Sequence, residues 1–220
     1  TVLTLAASGS ETSNSCVLTN EETKEKRGIT SETNRPVISF LNPENTFTVS
    51  KFQTGCGIVD IMMHTLERYL TPEGGESDLT DRIAEGLLIA VRDAGRRAIA
   101  DPRDYEARAT LMWAGSVSHN DYTGCGRKRL FPVHKLEHEL SAFRDEIAHG
   151  AGLSVLFPAW AEHEMPYDYP RFAQFANRVL GVEMDFEHPE RTAREGIRTL
   201  RRFFEEIGMP THLSQLGIKP

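Results

Sequence analysis

The sequence has little cysteine, no long apolar run and no excess of basic residues. Its three cysteines, Cys16, Cys56 and Cys125, are odd in number and widely spaced, with no CxxC pair. That pattern excludes a disulfide framework and makes a reducing cytoplasm the expected compartment. No apolar stretch approaches the roughly 20 residues needed to cross a bilayer, so no membrane association is expected. Lys and Arg number 25 against 32 Asp and Glu, for a net charge of −7. This acidic balance argues against a nucleic-acid or membrane-surface partner. Residues 1–15 hold no basic segment followed by an apolar one, so no signal peptide is expected. Internal repeats and low-complexity segments are also missing.

What is present suits one or two globular domains with a real core: 220 residues, 39% hydrophobic and 26% charged. The chain opens on Thr1, and TVLTLAASGS reads as the middle of a fold, so the expectation is a piece of a longer protein. In the first 45 residues TVLTLA, SCVLT and PVISFLNP are short β-branched or apolar runs. Gly/Ser turns and the charged loop NEETKEKRG separate them, and they are expected to be strands. After Ser50 the period becomes helical. Ser50 is placed to cap a helix in which Ile58, Ile61, Met62, Leu66 and Leu70 recur at three- and four-residue steps. TPEGGESD breaks the chain after it. Further helices are expected near 79–100, 103–122, 130–143, 150–164, 169–180 and 189–207, with Gly208 ending the last and Pro210 just beyond.

Chemistry concentrates in two segments, DIMMH at 60–64 and HKLEHELSAFRDEIAH at 134–149, which together hold four of the eight histidines. Asp60 and His64 are four apart on a helix, so their side chains leave one face a turn apart and are able to reach one ion. An ordinary solvated Asp–His pair has the same spacing. The neighbours Ile58, Val59, Ile61, Met62 and Met63 are all apolar, and a buried carboxylate among them needs a partner or a metal. His134, His138 and His149 form a dense second cluster, and Asp60, His64, His134 and His149 would together make an N₃O donor set suited to Zn²⁺ or Fe²⁺. HKLEH also matches H-x-x-E-H, a zinc-peptidase signature with Glu137 as general base. That alternative needs a further acidic ligand such as Glu162 or Glu164, and it leaves Asp60, His64 and His149 unexplained. A non-catalytic metal-binding module is a third reading.

Gly57-Ile-Val-Asp60-Ile-Met-Met-His64-Thr-Leu-Glu67, His134-Lys-Leu-Glu-His138 and His149-Gly-Ala-Gly-Leu-Ser-Val-Leu-Phe-Pro158, taken with the opening TLAASGSETS, resemble the iron-containing (group III) alcohol dehydrogenases. HELSAF, FPAWAE and GMPTHLSQLG are similar to the butanol-dehydrogenase and broad-substrate aldehyde-reductase branch. The resemblance implies an α/β plus all-α, dehydroquinate synthase-like two-domain fold. Residues 1–48 would be the end of a nucleotide-binding α/β domain and 49–220 a helical metal-binding domain, the chain being truncated at both ends. It implies Asp60, His64, His134 and His149 as ligands of a divalent metal, Fe²⁺ or Zn²⁺. It implies Thr4, Ser8, Ser10, Lys26 and His138 as contacts of NAD(H) or NADP(H), with a short-chain aldehyde or alcohol as substrate and a homodimer as the assembly. His138, as the catalytic candidate, either relays a proton to the alkoxide or orients the site. One departure stands out: the interval from His138 to His149 is one residue longer than the family pattern, the extra residue lying in RDEIA.

Overall fold

Ser50 starts the helical part of the chain: its side chain accepts the backbone N–H of Gln53 and caps α1, Lys51–Leu70. The computed structural model describes residues 1–23, 25–71, 77–128 and 130–218. Every residue of α1 from Thr54 to Leu70 is buried, so this helix runs through the middle of the molecule and must be covered on all sides. Its cover comes from α2 (Asp78–Ala100), α3 (Tyr105–His119), α4 (Pro132–Phe143) and α5 (His149–Glu164). α6 (Tyr169–Leu180) and α7 (Pro189–Glu206) pair with each other and close the bundle against α2 and α5. Ile58, Ile61, Met62, Met63 and Leu66 of α1 meet Leu88, Leu153, Phe157, Phe172 and Phe204 in one continuous core.

The helical expectations hold to within a few residues, with one clear difference. The helix expected over 103–122 stops at His119, because Asp121 turns the backbone left-handed at φ 73° and a single 3-10 turn, Tyr122–Gly124, follows. The expected break at TPEGGESD begins where α1 ends at Leu70; residues 72–76 lie outside the described residues. Gly208 terminates α7 as expected, at φ 80°, with Gly208 N–H donating to Glu205 O at 3.0 Å and Met209 N–H to Phe204 O at 2.8 Å.

The first 45 residues differ more from their reading. SCVLT does form a strand, β1 (Ser15–Asn20), but its antiparallel partner is β2 (Glu25–Thr30), whose first four residues belong to the segment read as a charged loop. The hairpin is largely exposed, so EKRGIT carries no apolar alternation to announce a strand. TVLTLA and PVISFLNP do not become strands; they meet in a parallel bridge between Val2 and Phe40, with Leu3 N–H on Phe40 O at 3.0 Å and Phe40 N–H on Thr1 O at 2.9 Å, and the Thr1 ammonium donates to Ile38 O at 2.8 Å. Among the described residues the molecule is a helical bundle with one small sheet.

Candidate metal centre

The centre is built where α1, α4 and α5 meet. Asp60 and His64 project from one face of α1, His134 stands in the first turn of α4, and His149 is the first residue of α5. Two glycines seat α5. A Cβ on Gly150 would stand 2.5 Å from Cys56 Cα, and one on Gly152 would stand 2.7 Å from Glu137 Cγ. Only glycine lets the start of α5 lie against the α1 backbone on one side and the α4 side chains on the other. That contact carries His149 to Asp60. The RDEIA segment before His149 forms a turn, in which Ile147 N–H donates to Arg144 O at 3.0 Å and Ile147 is buried.

Asp60 Oδ1 lies 3.4 Å from His64 Nδ1, 3.5 Å from His134 Nε2 and 3.7 Å from His149 Nε2. The ligand atoms of Asp60, His64 and His134 all lie within 4.8 Å of one another. Each of the three rings has its Nδ1–H committed. His64 donates to the Asp60 carbonyl oxygen at 2.9 Å, His134 to the Glu67 carboxylate and His149 to the Glu137 carboxylate. Donation from Nδ1 leaves the lone pair on Nε2, the tautomer a metal-binding imidazole needs. Asp60 Oδ1 and His134 Nε2 are fully buried and have no hydrogen-bond partner among the described residues. Burying a carboxylate oxygen and a ring nitrogen face to face, each unsatisfied, costs several kcal/mol unless a cation lies between them, on the order given for unpaired polar groups. Three imidazole nitrogens and one carboxylate oxygen fit Zn²⁺ or Fe²⁺.

The charge states of Asp60 and His64 suit that use, whereas His134 has to release a proton before its Nε2 can bind a cation. Burial works to raise the Asp60 carboxyl, but His64, His134 and His149 around it hold it well below the carboxylate range. Burial pushes His64 well below the usual 6.5, against the pull of Asp60, so its ring is neutral. His134 is raised to about 9: burial opposes this, and the facing carboxylates of Asp60 and Glu67 outweigh it. Burial, with His149 and Lys26 adding positive charge nearby, lowers His138 to about 4.

Other residues singled out in the sequence fall around this centre. Thr4, Ser8 and Ser10 are exposed. Gly9, between the two serines, holds φ 63° with its Cα pressed against the end of α3 at Gly115 and His119. Lys26 on β2 donates from Nζ to Ser141 Oγ on α4 at 2.8 Å, one turn beyond His138, and so ties the hairpin to the helix carrying that histidine. The H-x-x-E-H arrangement is not realised. Glu137 is buried with its carboxylate on His149, and at about 1.5 Å per helical residue Glu162 and Glu164 stand roughly 20 Å along α5 from His149. Glu162 instead pairs with Arg201 at the surface, 3.0 Å away.

Three residues with clear roles here were not assigned them from sequence. Glu67 and Glu137 anchor two of the ligand rings. Glu67 stood inside the quoted α1 motif, and the rule that a carboxylate in an apolar helix needs a partner applies to it as much as to Asp60. His119 packs edge-on against His64 with ring centroids 4.6 Å apart, and nothing in its local sequence SHND separates it from an exposed histidine.

Known proteins resemble this chain over nearly its whole length. The sequence profile described as Fe-containing alcohol dehydrogenase family, C-terminal, matches residues 54–220. NADH-dependent butanol dehydrogenase A of Clostridium acetobutylicum is 41% identical over 218 residues, covering 99% of this chain and 55% of that protein. NADPH-dependent aldehyde reductase YqhD of Escherichia coli is 33% identical over 217 residues, covering 99% and 55%. The solved structure of NADH-dependent butanol dehydrogenase A from Thermotoga maritima superposes with a TM-score of 0.93 at 37% identity, covering 99% of this chain and 54% of that one. The chain thus spans about half the length of the curated relatives it matches.

Proposed function

Because the chain belongs to the Fe-containing alcohol dehydrogenase family, we propose that the protein transfers a hydride between NAD(P)H and a short-chain aldehyde or primary alcohol. The observation that carries this reading is the buried grouping of Asp60, His64 and His134 within 4.8 Å of one another, with His149 Nε2 3.7 Å from Asp60 Oδ1 and with Asp60 Oδ1 and His134 Nε2 lacking any hydrogen-bond partner among the described residues. These four residues would hold a divalent metal, Fe²⁺ or Zn²⁺, which when bound supplies Lewis-acid polarisation of the substrate oxygen.

The protein's own part is alignment. Glu67 and Glu137 fix the rings of His134 and His149, so the donor set is organised before any ligand arrives. The exposed hydroxyls of Thr4, Ser8 and Ser10 and the ammonium of Lys26 are the groups we assign to dinucleotide contact. They would hold the nicotinamide so that its C4 faces the carbonyl carbon. His138, whose ring lies 5.4 Å from that of His149, is the group we assign to relaying a proton to the alkoxide or to orienting the site. In the same reading residues 1–48 end a nucleotide-binding domain and 49–220 form the metal-binding domain. The assembly is a homodimer, which light scattering of the intact protein checks. The sparse cysteines support a cytoplasmic location. No helix among the described residues is long and apolar enough to cross a membrane.

The test is NADH and NADPH oxidation by the intact protein with butyraldehyde, before chelation, after chelation, and after return of Fe²⁺ or Zn²⁺. Activity should vanish and return with the metal, and Asp60→Ala should bind no metal at this site. Absence of turnover with any short aldehyde after reconstitution would overturn the assignment.

A further inference from the structure

His119 closes α3, and its ring meets a different part of the molecule on each side. On one side it meets His64 edge-on, centroids 4.6 Å apart and planes at 78°. His64 is otherwise enclosed by Phe131 at 5.8 Å and His134 at 4.4 Å, so His119 is one of three rings that set its orientation. On the other side His119 Nε2 lies 2.9 Å from Ser13 Oγ and 3.4 Å from Ser15 Oγ, and those two hydroxyls are themselves 2.9 Å apart. Ser13 is buried and Ser15 is the first residue of β1, whose partner strand carries Lys26. Gly9 completes the contact, because a Cβ there would stand 2.6 Å from His119 Cβ. One side chain therefore joins the Ser8-Gly9-Ser10 turn, the base of the hairpin and a metal ligand.

We propose that His119 is a positioning residue that links dinucleotide binding to metal binding, by keeping the 8–15 loop and the His64 ring in register with each other. This rests on the dehydrogenase reading above. A dinucleotide bound at the loop holds Ser13 on His119, which fixes the ring facing His64 and narrows the angles at which His64 presents Nε2. By linkage the effect runs equally in the other direction. Glu67 and Glu137 already anchor His134 and His149 by charge-assisted bonds, whereas His64 Nδ1 donates to the Asp60 carbonyl at 2.9 Å with the Asp60 carboxylate farther off at 3.4 Å. His64 is the imidazole ligand most open to adjustment by a neighbour.

The experiment measures the Zn²⁺ dissociation constant of the intact protein by chelator competition, with and without saturating NADH or NADPH. The dinucleotide is expected to tighten Zn²⁺ binding by about fivefold or more, at the lower end of known couplings. Ser13→Ala and His119→Phe should each bring that ratio close to one. The first deletes a single oxygen, and the second keeps a ring against His64 without the bond to the serines. A purely structural role would weaken both affinities and leave their ratio alone, and Ser13→Ala carries the test by itself if the phenylalanine variant does not fold. A ratio near one in the parent protein, or a ratio unaltered in the variants, overturns the proposal. Failure of the parent to bind Zn²⁺ or either dinucleotide alone overturns the dehydrogenase reading, and the linkage with it.

Discussion

Glu67 stands two turns after Asp60 on α1, and its carboxylate receives the Nδ1–H of His134 from α4 while also accepting the Val133 backbone N–H at 2.7 Å. A single buried carboxylate thus sets the tautomer of a ligand and the approach of the helix that carries it. Glu67→Gln keeps the shape and removes the charge. Metal affinity should fall by about tenfold or more, in the range seen for such supporting groups, as measured by chelator competition. A change of less than twofold would show that packing alone orients His134.

The two kinds of glycine in the helices predict opposite signs for one chemical change. Gly150→Ala places a methyl 2.5 Å from Cys56 Cα and forces α5 off α1. The cost should be about 1–3 kcal/mol, with weakened metal binding because His149 moves too. Gly86 on α2 has nothing within 4 Å of its would-be Cβ, and Gly86→Ala should stabilise by about 0.5–1 kcal/mol through helix propensity. Thermal melts of both variants decide the matter, and the same sign in both would contradict the seating of α5.

Acid stability should depend on Asp81. Burial acts to raise its carboxyl, but the Arg171 guanidinium, with Nη1–Oδ2 at 2.5 Å and Nη2–Oδ1 at 2.6 Å, and Arg127 beside it lower it from 3.8 to about 2. A depressed folded-state value means that the stabilisation is complete above the unfolded value and is lost as pH falls from there through the folded one. Between roughly pH 4 and pH 2 the protein should lose stability on this account, by less than a dry ion pair would contribute because solvent screens the site. Denaturant melts across that window should be flatter for Asp81→Asn than for the parent.

Metal removal should loosen the bundle. The four candidate ligands come from three helices, α1, α4 and α5, so an ion held by all of them would link all three. At a free ion concentration of about one hundred times its dissociation constant the gain is about 2.7 kcal/mol. For a chain of this length that corresponds to roughly 5–10 °C in melting temperature. Calorimetry with metal and with chelator should show this difference in the parent and none in Asp60→Ala.

The helical half was legible because its signals are local. Ser50 as a cap, the apolar steps from Ile58 to Leu70 and the Gly208 stop all act within a few residues of where they are written. The ligand pair Asp60 and His64 follows from one helical turn. Their meeting with His134 and His149 does not, because it depends on α5 settling against α1 through Gly150; there the family motifs supplied what spacing could not. Glu67, Glu137 and His119 gained their roles only through contacts between helices. β2 was missed because EKRGIT is exposed and charged, and TVLTLA and PVISFLNP were overread because apolar, β-branched composition records a capacity for pairing and not the neighbour that satisfies it.

The three imidazoles have their Nδ1–H groups tied to fixed acceptors, whereas Asp60 Oδ1 has no such tether among the described residues. Rotation about one short side chain is therefore the least costly adjustment open to the donor set, and it is the adjustment that a change of ionic radius demands. Exchanging one divalent ion for another of different size need not strain the helices. Discrimination between such ions then falls to their intrinsic affinity order and their supply in the cell, and only weakly to the shape of the cage.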